Sequence, residues 1–426
     1  MERRALAVPL AVLAVAVAVA GCSLGGDDKP PAKPESPTAR VTGGPARGGD
    51  ATALGRLLAR RSAALQRGDA SAYAATATGG QRARDRRTAR RVRGLRLRDV
   101  DLAIVSIDLR GTRATVRAIS RYGIRGVAGR FAADRRLAAV RSKAGWRVSS
   151  ETSRRERHPW ELGPVAERRS RHFVVLAPRS VDVAGGALLD ALEAGYARMG
   201  EVLKRPRLQR RYLVVVADGP AQARALTERI SGVAGLAAIS DTEVREDGAA
   251  RRVLAVDSQR LFVVWSAFSV LDPGARLSVV THELTHAALA KVTSGRTPAW
   301  LLEGVALYVS EDRRADSAAR LLASADPAAR RAMSLHALSH PDAISRLSGA
   351  AQEAAYAYSS AAAFYIVDRF GRQRYLDLYD AFNDATLRGR AGASLTDRAV
   401  GSVLRIPLTR LERELRLWIR TSPATP

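Results

Sequence analysis

One segment of the chain, residues 271–289, restricts the possible folds more than any other part of the sequence. Asp272 comes directly before Pro273, and this pair is typical of a helix N-cap followed by proline at the first helical position. A largely apolar run continues for several turns beyond the pair. We therefore predict a helix from Pro273 to Lys291.

The predicted helix carries two histidines and a glutamate within the sequence HELTH. His282 and His286 are four residues apart, so their imidazoles project from one face of the helix about one turn apart, as two ligands of a single zinc ion do. Glu283 is beside them, where it can act on a water molecule at the ion. Two histidines hold zinc weakly, and a third protein ligand is therefore expected.

A second predicted helix supplies a candidate for the third ligand. It begins at Thr297-Pro298 and continues as AWLLEGVALY, in which Glu303 is the only charged residue. A carboxylate in apolar surroundings needs a partner, and a metal ion is one. Gly304 lowers the helix propensity, so we interpret it as a packing requirement where the two helices come together.

These motifs carry a resemblance to a known family. HELTH followed by the glutamate of PAWLLEG resembles the gluzincin metallopeptidases, and the form PxWLxEGxAxY is most similar to the peptidase MA-like domains of bacterial exported proteins. The likeness extends from about Phe173 to Gly371. It implies Zn²⁺ as cofactor, His282, His286 and Glu303 as its ligands, and Glu283 as the general base that activates water against a peptide carbonyl.

The resemblance implies two further features of the site. It assigns Arg252 to Val256 as a sheet edge that pairs with an extended peptide substrate. It also matches Tyr356 to a tyrosine whose phenol donates to the tetrahedral oxyanion, although Tyr356 and Tyr358 could equally pack between helices. Leu307 replaces an aspartate that orients a histidine in thermolysin-like members, so another group must orient the ring here.

The start of the chain predicts export. Arg3 and Arg4 precede an apolar run from Ala5 to Ala20, which is short for a membrane-spanning helix and typical of a signal peptide. The run ends in VAGC, which resembles the lipobox of bacterial lipoproteins and implies a lipid on Cys22, the only cysteine. We expect a protein anchored to the cell membrane by lipid on its extracytoplasmic face. An ordinary secretory leader is the alternative.

The hydrophobic pattern predicts an α+β fold in two domains after this leader. We expect a signal peptide at 1–21 and a flexible tether rich in Gly and Pro at 22–50. A helical segment at 51–77, broken near Gly68-Asp69, and strands at 100–109, 114–122, 131–140 and 146–150 then resemble the cone of the nuclear-transport-factor-2-like (NTF2-like) fold over 51–157. That fold includes enzymes and binding modules, and we predict a spacer or binding domain.

The metallopeptidase domain is expected over 158–426. Strands at 173–176, 212–217, 232–239 and 252–256 predict a small mixed sheet, and helices at 187–203 and 221–230 lie between them. The C-terminal half is predicted to be mostly helical, and the apolar stripe of its final part is explained by core packing.

The chain is strongly basic, with 69 Lys+Arg against 42 Asp+Glu and a formal net charge of +27. This charge follows from an arginine-rich composition typical of GC-rich genomes, or it favours an anionic envelope polymer or lipid head groups as partners. Nucleic acid is not expected as a partner, because the chain carries an export signal and lacks a recognition-helix or stacking-aromatic motif.

Two hypotheses from different classes remain. We expect a lipid-anchored, extracytoplasmic zinc metallopeptidase that acts on a peptide or protein substrate. The alternative is a non-catalytic envelope lipoprotein that binds an anionic polymer or a partner protein and uses the metal as a structural clamp. A site with four protein ligands would favour the alternative, whereas three ligands beside Glu283 favour the enzyme.

Overall fold

The structure is a computed structural model that describes residues 40–42, 48–153, 156–181, 186–203, 208–228, 236–248, 251–312, 318–321 and 327–421. It confirms the predicted α+β class, because helices accompany two five-stranded sheets. The predicted signal peptide and Cys22 lie outside the described residues.

Strands β2 to β5 of the first sheet follow three helices, and β1 precedes them. Its strand order is β1-β2-β3-β4-β5, in which β2 to β5 form an antiparallel meander and β1 pairs parallel to β2. The four strands predicted for this region are confirmed as β2 to β5. The elements are α1 (Gly48–Gln66), α2 (Ala70–Ala75), α3 (Gly79–Val92), β1 (Arg40–Thr42), β2 (Leu97–Arg110), β3 (Arg113–Ile124), β4 (Phe131–Ser142) and β5 (Gly145–Ser153).

The helical break near Gly68-Asp69 is confirmed, because the Asp69 side chain caps α2 by accepting hydrogen bonds from the backbone of Ser71 and Ala72. Residues 40–42 and 48–50 of the predicted tether at 22–50 are described in the structure. Residues 40–42 form β1 and α1 begins at Gly48. The pairing of β1 with β2 supplies backbone hydrogen bonds that composition alone does not reveal.

The second sheet is mixed, with the order β6-β7-β8-β10-β9. Strands β7, β8 and β10 are parallel, and β6 and β9 pair antiparallel at the two edges. The elements are α4 (Pro159–Leu162), β6 (Val165–Arg169), β7 (Phe173–Pro178), α5 (Ala187–Leu203), β8 (Tyr212–Ala217), α6 (Pro220–Leu226), β9 (Ala238–Glu246) and β10 (Val253–Val264).

Both faces of this second sheet are buried. Phe173 and Val175 of β7 face the helices of the C-terminal half, whereas Val174 and Leu176 face a core shared with Tyr122 and other residues of the first sheet. Strands buried on both faces have continuous apolar sequences, as β7 and β8 do. The first half of the chain therefore covers one face of the second sheet.

Strand β10 lies inside the sheet for only part of its length. Residues 253–256, which fall in the segment expected at the edge, pair with β9 alone among the described residues, whereas residues 260–264 also pair with β8. The apolar continuation of β10 takes the strand into the middle of the sheet. Strand β9 is the last strand of the sheet on this side.

A buried arginine joins the edge strand to the first half of the chain. Arg260 of β10 lies 2.9 Å from Asp241 of β9 and 2.9 Å from Glu156, which follows β5. A buried guanidinium is stable only when carboxylates satisfy it, so these three side chains hold the two sheets in a defined relation.

The C-terminal half is mostly helical, as predicted. No helix within the described ranges has the length and hydropathy needed to cross a bilayer. Residues 318–321 are also helical. The named helices are α7 (Trp265–Phe268), α8 (Pro273–Leu289), α9 (Ala299–Val309), α10 (Pro327–Ala332), α11 (Gly349–Phe370), α12 (Arg372–Ala381), α13 (Ala393–Leu404) and α14 (Leu408–Thr421).

Candidate metal centre

Helix α8 begins where the sequence predicts. The Asp272 carboxylate accepts a hydrogen bond from the backbone N–H of Ala275 at 2.9 Å, and Pro273 is the first helical residue. Every residue from Val279 to Leu289 is buried. The HELTH sequence therefore lies inside the protein, where unpaired polar groups are costly.

Helix α5 packs closely on α8 at a position that the sequence did not reveal. A Cβ atom on Gly195 would lie 2.8 Å from the Thr281 Oγ1 atom. Glycine at this position therefore allows α5 to pack directly against α8 at Thr281. A glycine inside a predicted helix signals such a contact only weakly, because its partner is distant in sequence.

The structure brings His282, His286 and Glu303 together. The two Nε2 atoms are 3.1 Å apart, and the Glu303 Oε2 atom lies 3.4 Å from Nε2 of His282 and 3.6 Å from Nε2 of His286. All three residues are at most 4% exposed. Among the described residues, they are the group that could hold a metal ion.

The three atoms fit a zinc ion. Ligands about 2.0–2.1 Å from a tetrahedral ion are separated by about 3.3–3.4 Å, and the three observed separations fall near that value. The buried Glu303 Oε2 atom has no hydrogen-bond partner among the described residues. Two imidazole nitrogens and a carboxylate oxygen are also the donor types that zinc accepts.

The electrostatics of the centre keep Glu303 ionised. Burial by itself would raise its pKa, but the neighbouring imidazoles of His286 and His282 lower the pKa of Glu303 to about 2. Burial would lower the pKa of His286, yet the Glu303 carboxylate raises it. A negative charge is therefore held in the core by two imidazoles that point at it.

Glu283 occupies the space between α8 and the edge strand. Its Oε2 atom accepts a hydrogen bond from the backbone N–H of Ser240 in β9 at 2.7 Å, while its buried Oε1 atom has no hydrogen-bond partner among the described residues. Burial raises the pKa of this carboxyl. Ser240 was missed in the sequence, because nothing local marks a backbone contact with a residue 43 positions away.

Helix α9 starts at the predicted place, but the role assigned to Gly304 was wrong. A Cβ atom on Gly304 would lie 2.8 Å from the Ser359 carbonyl oxygen of α11 and 3.0 Å from the Tyr375 hydroxyl of α12. The glycine therefore admits α11 and α12 rather than α8. Glu303, one residue earlier on α9, contacts His282 and His286 of α8 instead.

The two candidate tyrosines lie on different sides of α11. Tyr356 shares a helix face with Ser359 and Ala363, the residues nearest Gly304 on α9. Tyr358 packs under Arg416, whose guanidinium carbon is 5.6 Å from the ring centre. Tyr356 therefore lies on the side of α11 that faces α9, the helix that carries Glu303. Its catalytic role stays a prediction.

Leu307 is buried, and the His286 Nδ1 atom has no hydrogen-bond partner among the described residues. The group expected to replace the aspartate of thermolysin-like members is therefore not found for His286 within the described part of the chain.

Comparison with known proteins gives only distant neighbours. No family model matches the chain, and no curated protein matches its sequence. The solved structures that resemble it include a mutant M1 zinc metallopeptidase from Deinococcus radiodurans bound to a Tyr-Ser-Ala substrate, at 12% identity and a TM-score of 0.32. Another is a mutant of a two-domain M1 zinc metallopeptidase bound to L-arginine, at 12% identity and a TM-score of 0.31.

Each comparison covers 76% of this chain and 66% of the other, so the chain spans just under two thirds of the length of these neighbours. The site described above is defined by the residues of this chain alone.

Replacing Gly304 by alanine tests the packing behind Glu303. We expect a net loss of stability, because overpacking against a backbone carbonyl costs about 1–3 kcal/mol, which exceeds a helix-propensity gain of about 1 kcal/mol. Chemical denaturation measures the change. Gly401→Ala in α13 is the matched control, because its Cβ atom would meet nothing within 4 Å, and it should be neutral or stabilising. Equal effects of the two substitutions would contradict the close contact.

Proposed function

We propose that this chain is a zinc metallopeptidase of the gluzincin type. The observation that carries the proposal is the convergence of two imidazoles and one carboxylate in the core, with a second carboxylate beside them. A structural zinc site usually has four protein ligands, whereas three ligands leave a position for water and substrate. The three-membered group among the described residues supports the catalytic reading over the structural one.

The chemistry divides between the ion and the chain. A zinc ion held by His282, His286 and Glu303 would supply Lewis-acid chemistry that activates water and polarises a peptide carbonyl. We assign the transfer of the proton to Glu283. The backbone N–H of Ser240 anchors one oxygen of this carboxylate, and the other oxygen is left for the proton.

We propose that the peptide substrate lies along the outer edge of β9. Ser240 pairs with Leu261 of β10, yet its N–H reaches the Glu283 carboxylate, so the backbone of this residue faces away from β10. An edge strand that presents its backbone beside a catalytic group supports strand addition by an extended peptide.

We further propose a location at the extracytoplasmic face of the cell membrane, with a lipid on Cys22. This rests on the apolar leader and the VAGC sequence. The strongly basic composition supports additional contact with anionic lipid heads or an envelope polymer.

Metal analysis tests the centre directly. We expect the purified chain to contain about one zinc per molecule and His282→Ala and Glu303→Ala to lose most of it, since two ligands hold the ion weakly. Elemental analysis measures the content. His336→Ala removes an exposed histidine and should retain the metal. A folded parent that takes up no zinc would remove the enzyme proposal.

Glu283→Gln separates metal binding from catalysis. We expect hydrolysis of a quenched-fluorescent peptide library to fall by about 10²–10⁴-fold, because the amide cannot accept the proton. The zinc content should stay at the parent value, because Glu283 is not assigned as a ligand. Full activity in this variant would contradict the mechanism, and a parent that binds zinc but cleaves no peptide would favour the non-catalytic envelope lipoprotein.

Tyr356→Phe tests the oxyanion donor. If the phenol donates in the transition state, kcat should fall by about 10²–10³-fold with little change in KM or zinc content. Tyr358→Phe is the matched control on the same helix, because this ring packs under Arg416 and its loss of a hydroxyl should leave kcat within about twofold. Similar activities of the two variants would assign both tyrosines to packing.

A further inference from the structure

A second concave site lies in the first half of the chain. A cavity of about 500 Å³ opens between α3 and the inner face of the first sheet, and the segment from Arg157 to Glu161 closes one side. This volume is in the range of small-molecule sites. The lining includes none of the residues of the metal centre.

The carboxylates around the cavity are already paired. Arg61, fully buried, donates to Asp85 through two nitrogens at 2.5 and 2.8 Å and to Glu151 from Nε at 3.1 Å. Arg135, also buried, donates to Glu161. Each of these three acids therefore has a guanidinium partner, and little negative charge is left to act on the cavity.

Two arginines that line the cavity, in contrast, are not paired with a described carboxylate. Arg84 and Arg87 of α3 are exposed and form no ion pair with any described carboxylate. Arg91 follows on the same helix face, and its NH1 atom donates to the backbone carbonyls of Trp160 and Glu161 at 3.2 and 3.1 Å. Arg157 lines the cavity as well. The lining of the cavity therefore combines exposed arginines of α3 with carboxylates that are already neutralised.

The wall of the cavity adds shape and polar selectivity. Trp160 is buried against Tyr122, with ring centres 4.7 Å apart, and Ser120 Oγ lies 2.9 Å from Nε2 of the buried His158. Trp160 and Tyr122 belong to the core shared by the two sheets, and Ser120 and His158 are buried beside them. A ligand would meet a preformed pocket, which lowers the entropic cost of binding.

We propose that this cavity is a binding site for a small anion that carries a carboxylate or phosphate group, with Arg84 and Arg87 as the principal recognition residues. Guanidinium groups bind both anions through paired N–H donors, so either chemistry satisfies the site. The anion can be a free metabolite-sized molecule or the head group of an anionic lipid.

Titration calorimetry of the purified chain with succinate and with glycerol 1-phosphate tests the proposal at constant ionic strength. We expect saturable binding of at least one probe, weakened at least tenfold in the double variant Arg84→Gln/Arg87→Gln. The control Arg86→Gln/Arg90→Gln removes two exposed arginines from α3 that do not line the cavity, with the same change in net charge. It should bind within about twofold of the parent.

A third arm distinguishes the sources of the anion. Vesicles of phosphatidylglycerol are added to test whether they compete with the soluble probe. Competition that is strong in the parent and weaker in the Arg84→Gln/Arg87→Gln variant would assign the site to a lipid head group. Competition absent in the parent would assign it to a free small molecule. Absence of saturable binding to every probe, or equal weakening in both double variants, would overturn the proposal. Thermal unfolding of each variant controls for loss of fold.

Discussion

The burial of the Glu303 carboxylate is the constraint on which the rest of the site depends. A single acid on an apolar helix can enter the core only where cationic or metal partners meet it, and His282 and His286 of α8 are 3.4 and 3.6 Å from it. The helices behind α8 and α9 approach through two glycines, Gly195 and Gly304. The packing of five helices, α5, α8, α9, α11 and α12, therefore surrounds one buried charge.

The second sheet gives this centre its other wall. Strand β9 supplies the backbone N–H that holds Glu283, and Arg260 ties Asp241, the next residue in β9, to Glu156. Glu156 precedes the segment that closes the cavity in the first half of the chain. The proposed catalytic centre and the proposed anion site therefore lie on either side of one sheet, whose two faces are both buried.

Much of the fold and of the site could be predicted, and the misses share a cause. Helix α8 and strands β2 to β5 follow from capping residues and local alternation, which depend on neighbours in sequence. The position of β10 in the middle of the sheet, the strand formed by residues 40–42 and the partner of Gly304 depend on contacts between distant segments. A local sequence pattern does not specify which distant segment of the chain will pack against it.

The sequence by itself determined the candidate ligand set of this protein: HELTH and the glutamate of PAWLLEG specify donor types and place His282, Glu283 and His286 within about one helical turn, because helix periodicity is a local property. Only the tertiary structure decided that Glu303 reaches those histidines, that Ser240 holds Glu283, and that Arg84 and Arg87 line a cavity whose acids are paired with other arginines. These contacts depend on which surfaces are buried against one another, and this is determined only when the whole core forms.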